Sequence, residues 1–196
     1  IQAKTFNLIR DGTDVFGKAR TGTGKTLSFT LPVVEMLLQN PNTTRGRHPR
    51  VLVMAPTREL AMQVGKEFKK IGPGLSSTCM YGGTDYGPQR NAIRFGLDAV
   101  IGTPGRLLDH LQSGNLKLDK LEHLILDEAD RMLEVGFVEA IEQILDMAQE
   151  QAGKKPQMIL FSATLPDFIK STLKKYMPDH KVVDTIGQSI NRTSTG

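Results

Sequence analysis

Residues 15–26 read VFGKARTGTGKT, a short apolar run that leads into a glycine-rich turn and then into a helical pattern. Glycines let the backbone curl so that successive N–H groups face a phosphate, and the amino end of the next helix adds partial positive charge. Lys25 would place its ammonium against the β- and γ-phosphates of a nucleotide, and the Thr26 hydroxyl would bind Mg²⁺. The usual phosphate-binding loop has glycine where this chain has Ala19, so a glycine-rich turn without a ligand stays open at this point.

Short apolar runs alternate with helical patterns along the rest of the chain. Several runs are apolar at nearly every position, as in strands buried on both faces of a sheet. The predicted strands are residues 14–16, 51–55, 77–81, 99–101, 124–126 and 158–161, and the predicted helices are residues 25–38, 58–71, 87–95, 106–112, 138–148 and 168–176. This alternation predicts a three-layer α/β domain with a mostly parallel central sheet, whose ligands bind beyond the carboxyl ends of the strands.

The composition is that of a globular domain and excludes several classes of protein. With 196 residues, 39% hydrophobic and 23% charged, the chain is long enough for one domain and too apolar for disorder. Its single cysteine, Cys79, excludes an intrachain disulfide and a zinc cluster of thiolates, and we expect an intracellular protein. No run approaches the ~18 apolar residues of a membrane span, so we expect no membrane partner. The net charge of +4 permits a polyanionic partner without requiring one.

A second chemical signal lies at residues 124–130, LILDEAD, where apolar residues lead into Asp127 and Glu128. Carboxylates at the end of a buried strand are costly unless they have a partner. Asp127 would hold Mg²⁺ through water, and Glu128 would orient the water that attacks a phosphate. Acidic residues also suit the amino end of a helix, which is the alternative for this segment taken alone. Together with the phosphate loop, the segment predicts a P-loop nucleotide hydrolase.

Asp127–Asp130 spell DEAD, and the chain resembles the first RecA-like domain of the DEAD-box ATP-dependent RNA helicases. Alanine at the first position of the phosphate loop is that family's own pattern, which accounts for Ala19. The segments that carry the resemblance occur in the family's order, and they are ARTGTGKT (19–26, motif I), PTREL (56–60, motif Ia), GG (82–83), TPGR (103–106, motif Ib), DEAD (127–130, motif II) and SAT (162–164, motif III). Within the family, IQAKTF, ARTGTGKTLSF, YGGTDYGPQ and KKYM are similar to the nucleolar RNA helicase II (Gu) group.

The resemblance implies an ATP site with Mg²⁺. Lys25, Asp127 and Glu128 would be catalytic, and Thr26 and Asp127 would bind the metal. Gln2 looks like the glutamine of the Q motif, whose amide suits the donor and acceptor edge of adenine, although a polar residue near a chain end needs no such role. The implied nucleotide-binding residues are Gln2, Ala19, Arg20, Thr21, Gly22, Thr23, Gly24, Lys25 and Thr26.

The resemblance also implies RNA contacts with little sequence specificity. Hydroxyls, arginines and a bare glycine N–H suit the sugar–phosphate backbone. The implied RNA-binding residues are Pro56, Thr57, Arg58, Gly83, Thr103, Pro104, Gly105 and Arg106. Arg58 could instead cap its own helix or pair with Glu59, and Thr103 could serve only as a helix cap. A hydrogen bond from Ser162 or Thr164 to Asp130 would couple the ATP site to the RNA face.

Other conspicuous residues receive structural interpretations. We expect Cys79 to be a small core residue, His110 and His123 to lie at the surface or at helix ends, and the methionines to lie in the core. Of the methionines, those singled out are Met132, Met147 and Met158. The basic loop at residues 45–50 is expected to be a solvated insertion rather than an RNA contact.

The expected function is that of the ATP-binding domain of an RNA helicase, an RNA-dependent ATPase that couples ATP binding and hydrolysis to RNA binding and local duplex unwinding. An ATP-gated RNA clamp or scaffold without productive unwinding is the alternative, since the same motifs serve it. Residues 1–186 would form this domain, and residues 187–196 would begin a linker to a second RecA-like domain that the chain lacks. We expect a monomer, nuclear or nucleolar with the cytoplasm as the alternative, and nearly inactive without the second domain.

Overall fold

A computed structural model describes residues 2–20 and 23–184, without the side chains of Gln2 and Thr23. The strands are β1 (Val15–Lys18), β2 (Val51–Met54), β3 (Ser77–Met80), β4 (Ala99–Gly102), β5 (His123–Leu126), β6 (Gln157–Ser162) and β7 (Lys181–Asp184). The helices are α1 (Gln2–Arg10), α2 (Thr23–Gln39), α3 (Arg58–Ile71), α4 (Tyr86–Phe95), α5 (Pro104–Gln112), α6 (Ala129–Glu134), α7 (Val138–Gln151) and α8 (Asp167–Tyr176). The predicted roles of Thr21 and Gly22, the domain boundary at residue 186 and the linker at 187–196 lie outside the described residues.

One sheet of seven strands runs through the centre of the domain in the order β3-β4-β2-β5-β6-β1-β7. Every pairing among the described strands is parallel. The predicted α/β class is therefore confirmed. Because all strands run the same way, all their carboxyl ends lie along one edge of the sheet, which we call the carboxyl edge.

The core has two apolar layers, one on each face of the sheet. Successive side chains of β2 point to opposite faces of the sheet, and both faces are covered, so all four residues are fully buried. Val51 and Val53 pack in the layer under α1, α2 and α3. Leu52 and Met54 pack in the layer under α5, α6, α7 and α8. Burial on both faces is why this stretch is apolar at every position, as the sequence predicted.

Three elements were not predicted: α1, α6 and β7. β7 lies at the edge of the sheet and buries only Val183, so its sequence lacks a continuous apolar run. α6 has six residues, too few to show a helical period. Within the described residues, no helix combines the length and the hydropathy needed to cross a membrane.

Both histidines are buried, so the expected surface position is wrong for each, although His110 does lie at a helix end, in the last turn of α5. His110 is 0% exposed and His123 is 5% exposed. One ring nitrogen of each histidine lies against a glutamine oxygen, at 2.8 Å from Nε2 of His110 to Gln89 and at 2.8 Å from Nδ1 of His123 to Gln157. A satisfied ring nitrogen removes most of the cost of burying an imidazole. Burial lowers the pKa of both histidines.

The basic loop at residues 45–50 is not a freely solvated insertion. Arg47 pairs through two nitrogens with Asp98, at 2.8 Å and 2.9 Å, and Arg50 pairs with Glu122 at 2.5 Å. Both acidic partners precede strands, so the loop is fixed to the edge opposite the carboxyl edge. The core expectation is confirmed for Met132 and Met158, which are buried, and Met147 packs against the same core layer from its rim, whereas Met62 is exposed. Cys79 is half-buried and packs against the α3 side of the core.

Candidate functional site

The carboxyl edge gathers the segments that the sequence singled out. Residues 19–26, 127–130 and 162–164 follow β1, β5 and β6, which are neighbours in the sheet. Residues 56–58, 82–84 and 103–106 follow β2, β3 and β4, which are also neighbours. We call the first group the phosphate-loop half and the second the arginine half. The strand order thus places the segments predicted to bind nucleotide and those predicted to bind RNA next to each other along one edge of the sheet.

Lys25 lies at the centre of the phosphate-loop half. It belongs to the first turn of α2 and is 7% exposed. Its Nζ lies 3.0 Å from Oδ1 of Asp127 and 3.5 Å from Oε1 of Glu128, both of which follow β5. A buried ammonium requires anionic partners, and here the acidic strand end supplies them. The structure therefore brings together the three residues that the sequence predicted to be catalytic.

Asp127 is 3% exposed, and its burial raises the pKa of the carboxyl, although the neighbouring Lys25 ammonium opposes this. Among the described residues, no group of three or more His, Cys, Asp or Glu side chains is placed to hold a metal. Mg²⁺ is usually bound by one or two carboxylates together with waters and substrate phosphates. The Asp127 carboxylate and the Thr26 hydroxyl fit that mode rather than an all-protein cage.

Glu128 has an unusual backbone and two cationic neighbours. Its φ of 54° and ψ of 52° are left-handed, and among the described residues no other non-glycine residue has a positive φ. Such a conformation is strained and often occurs at functional sites. The side chain is 5% exposed, and its Oε2 accepts a hydrogen bond from Arg131 at 3.1 Å. The Glu128 carboxylate is thereby held between Lys25 and Arg131.

The hydroxyl–carboxylate contact expected at Asp130 is present, and it involves Thr164. The Thr164 hydroxyl and backbone N–H donate to the same Asp130 oxygen, at 3.0 Å and 3.2 Å. Ser162 instead donates to the Thr164 carbonyl at 2.8 Å and fixes this turn. The Ser162 carbonyl accepts from the Ala19 N–H at 3.1 Å. A chain of hydrogen bonds thus joins the start of the phosphate loop to Asp130.

The arginine half contains an open cavity of about 420 Å³. Its lining includes the predicted RNA-binding residues Pro56, Thr57, Arg58, Thr103, Gly105 and Arg106. Two helices, α3 and α5, begin at this cavity, so their free backbone N–H groups and dipoles favour an anion there. The cavity therefore suits a chain of phosphates.

Both arginines of this cavity rest on tyrosines. The Cζ atom of Arg58 lies 4.9 Å from the ring centroid of Tyr81, and that of Arg106 lies 3.9 Å from the ring centroid of Tyr86. Stacking of this kind orients a guanidinium while leaving its edge N–H groups for a ligand. Among the ion pairs of the described residues none involves Arg58, so the alternative pairing with Glu59 finds no support.

Some of the other residues predicted for this half already have a structural role in the domain, and others do not. Thr57 caps α3 by accepting the Leu60 N–H at 3.2 Å, whereas the Thr103 hydroxyl makes no cap bond to α5. Pro104 is buried at the first position of α5 and does not line the cavity. Gly83 lies outside the same cavity in a turn with φ of +80°, which favours glycine.

A profile of the DEAD/DEAH box helicase family matches residues 1–172. The chain belongs to this family. The DEAD-box chain is 49% identical to the ATP-dependent RNA helicase DDX50 of Mus musculus, covering 100% of this chain and 27% of that protein. It is also 49% identical to the nucleolar RNA helicase 2 of Rattus norvegicus, covering 99% of this chain and 25% of that protein. It spans about a quarter of the length of these curated relatives.

Solved structures agree with this membership. A DEAD box protein from Methanococcus jannaschii superimposes with a TM-score of 0.82 at 38% identity, over 93% of this chain and 48% of that one. A hypothetical ATP-dependent RNA helicase from Sulfolobus tokodaii gives 0.83 at 35% identity, over 96% of this chain and 53% of that one. The RecA-like fold of the DEAD-box domain, expected from the motifs, is confirmed.

Several residues of the DEAD-box site were not predicted from the sequence. They are Tyr81, Tyr86, Gln89, Asp109, His110 and Arg131. One local signal was available for Arg131, because it follows Glu128 by three residues at the start of a helix. The contacts of the other residues join different elements, so no local sequence pattern predicts them.

Proposed function

We propose that this chain is the ATP-binding domain of an RNA-dependent ATPase that couples ATP binding and hydrolysis to RNA binding and local duplex unwinding. The observation that carries the proposal is the buried Lys25 ammonium, 3.0 Å from Asp127, where the phosphate loop meets the DEAD segment. The curated relatives are named as helicases, and nothing in the described structure favours a clamp without unwinding.

In this proposal each side chain of the phosphate-loop half has a task in hydrolysis. Lys25 neutralises charge that develops on the γ-phosphate, since a preorganised cation in a buried site stabilises such charge strongly. Glu128 orients the attacking water, and its ion pair with Arg131 holds the carboxylate in place. Mg²⁺, held by Thr26 and Asp127, would neutralise the phosphate oxygens. Gln2, Ala19, Arg20, Thr21, Gly22, Thr23 and Gly24 would complete the nucleotide site.

The arginine half supports a second part of the proposal, which is that RNA lies across the cavity at the ends of β2, β3 and β4. Thr57, Arg58, Gly83, Thr103, Gly105 and Arg106 would contact its sugar–phosphate backbone, and Pro56 and Pro104 would shape the two helix starts. Arginines, hydroxyls and helix amino ends bind phosphates without reading bases. We therefore expect weak sequence preference and strong dependence on salt.

The two halves would communicate through Asp130, Ser162 and Thr164. The Asp130–Thr164 hydrogen bonds connect the segment after β5 to the segment after β6. We propose that a second RecA-like domain of the same monomeric protein closes over both halves, and that the chain alone hydrolyses ATP poorly. Similarity to nucleolar RNA helicase 2 supports a nucleolar location, which fluorescence imaging of the tagged intact protein would test.

The central experiment compares three variants of the intact protein in RNA-stimulated ATP hydrolysis and in release of a strand from a short RNA duplex. Lys25→Ala and Glu128→Gln should each lower hydrolysis at least about a hundredfold, because each removes a group that acts on the transition state. Lys154→Ala is the control, since Lys154 is exposed and lies before β6, at the opposite edge. Unchanged hydrolysis in the first two variants would refute the proposal. ATP-gated RNA binding without strand release would favour the clamp.

A further inference from the structure

The Arg106 guanidinium is held from two directions by groups outside motif Ib. Tyr86 packs against its face at 3.9 Å, and Nη1 donates to the Thr84 carbonyl at 2.9 Å and to Oε1 of Gln89 at 3.3 Å. Among the described residues, neither Nε nor Nη2 has a hydrogen-bond partner. One edge of the guanidinium is thus fixed, and the other is available to a ligand in the cavity.

Gln89 is the centre of this arrangement, and its amide has only one consistent orientation. It is 6% exposed and belongs to α4. The Thr84 hydroxyl donates to the Tyr81 carbonyl at 2.9 Å, so its oxygen must accept from Nε2 of Gln89 at 3.1 Å. Oε1 of Gln89 therefore faces Arg106. A flipped amide would place its NH₂ group against the guanidinium, donor against donor.

This orientation also assigns the proton on His110. Oε1 of Gln89 accepts only, so Nε2 of His110, 2.8 Å away, must donate to it. Nδ1 is then unprotonated, and it is buried without a hydrogen-bond partner in the described part of the chain. Protonation would create an N–H at Nδ1 with nothing to accept it. Burial, Arg106 and Arg90 lower the pKa of His110, while Asp109 opposes them, which agrees with a neutral ring.

We infer that Gln89 and His110 are positioning residues that fix Arg106 for a phosphate of the RNA backbone. The inference rests on the proposed function of Arg106 in RNA binding. Gln89 also hydrogen-bonds Thr84, so one buried amide holds the turn after β3 and the start of α5 as a unit. His110 keeps that amide from rotating, because it occupies the second acceptor site of the same oxygen. Neither residue needs to touch RNA.

The test is RNA binding by the intact protein with a non-hydrolysable ATP analogue and a labelled single-stranded oligouridylate, at several salt concentrations. Arg106→Ala should weaken binding about tenfold, because it removes charge-assisted hydrogen bonds. It should also reduce the slope of log affinity against log salt by about 0.7, the share of one phosphate contact on a single strand. His110→Leu should reproduce both effects and add nothing to Arg106→Ala, because the two act as one unit.

His110→Gln is the conservative control, since its terminal NH₂ can donate to Gln89 from nearly the position of Nε2. It should restore the affinity and the salt slope. A merely structural role would lower thermal stability in His110→Leu and leave the slope unchanged. The inference is wrong if Arg106→Ala weakens binding while His110→Leu and Gln89→Leu, both folded, retain wild-type affinity and slope.

Long-range ¹H–¹⁵N NMR spectra of the free protein test positioning without RNA and without any mutation. The expected spectrum shows a protonated Nε2 and an unprotonated Nδ1 in His110. A protonated Nδ1 would overturn the inference even if Arg106 binds RNA. Conversely, unchanged RNA binding in Arg106→Ala would refute the proposed RNA contact of Arg106, whereas the assigned proton on His110 would still be observed.

Discussion

The two halves of the carboxyl edge hold their cations in opposite ways. In the phosphate-loop half, Lys25 is buried and lies within 3.5 Å of two buried carboxylates. In the arginine half, Arg58 is exposed and Arg106 is partly exposed, and both rest on tyrosine rings. One half neutralises its cation internally, and the other keeps its cations available to solvent.

The difference follows from the ligand that each half is proposed to take. A nucleoside triphosphate is compact and can be enclosed, so the interactions of a buried ammonium and buried carboxylates with it are strengthened by the low local dielectric. An RNA strand is long and passes over the surface, so its phosphates need cations that remain accessible. Tyrosine stacking provides order without burial, because the ring face attracts the guanidinium and leaves its N–H edge free.

Removal of one cation from each half should show the largest difference. Lys25→Met leaves two buried carboxylates without their ammonium and should lower the free energy of unfolding by about 3 kcal/mol. Arg58→Met removes an exposed cation and should change it by less than about 0.5 kcal/mol. Urea unfolding of both variants at pH 7 measures the difference. Equal losses would mean that the Lys25 cluster is as solvated as the arginine half.

On acidification, the contributions of the two halves to the free energy of unfolding should change in opposite directions. The pKa of His110 is lowered in the folded state, so the unfolded chain binds the proton first. Its stability contribution is complete above the unfolded pKa of about 6.5 and is lost as pH falls through the folded pKa, at no more than about 1.4 kcal/mol per pH unit. His123 shares this direction. Urea unfolding between pH 7 and pH 5 should show a smaller loss for His110→Gln than for the wild type.

Asp127, in the phosphate-loop half, should change the stability with pH in the direction opposite to His110. Its pKa is raised by burial, so the folded state binds the proton more readily than the unfolded chain. Its favourable contribution is present at low pH and is lost as pH rises through the folded pKa. Relative to Asp127→Asn, the wild type should therefore gain stability on acidification. A constant difference between these two proteins from pH 7 to pH 4 would contradict the raised pKa.

The sequence predicted those parts of the fold that depend on local pattern. Runs such as residues 51–55 are apolar throughout because the strand is buried on both faces, and that signal survives without any tertiary information. β7 gave no such signal, since an edge strand buries only Val183. The motif residues of the phosphate loop and the DEAD segment were found for the same reason: each is contiguous in sequence.

Other features depended on contacts between distant elements. Local sequence predicts a surface or helix-end position for His110, whereas the structure buries it on α5 with its Nε2 2.8 Å from Oε1 of Gln89, which belongs to α4. The left-handed backbone of Glu128 was also unforeseen, because no residue type there requires it. Arg47 appeared to be part of a solvated basic loop, yet its partner Asp98 lies 51 positions along the chain. Pairings of this kind are tertiary, and a single sequence contains no period that records them.

The smallest effects should come from two glycines of the arginine half, which differ in their φ angle and in the atoms that an added Cβ would meet. Gly83→Ala should destabilise the chain by about 1 kcal/mol, because φ of +80° is costly with a Cβ. Gly105→Ala should change stability by less than about 0.5 kcal/mol, since the nearest atom to its added Cβ would be Cε1 of Phe137 at 3.6 Å. Urea unfolding measures both.

Gly105→Ala then becomes a specific probe of the cavity. If RNA passes over the start of α5 as proposed, the added methyl group should weaken RNA binding in the intact protein while the free energy of unfolding stays unchanged. Wild-type RNA affinity in that variant would place the strand elsewhere on the arginine half.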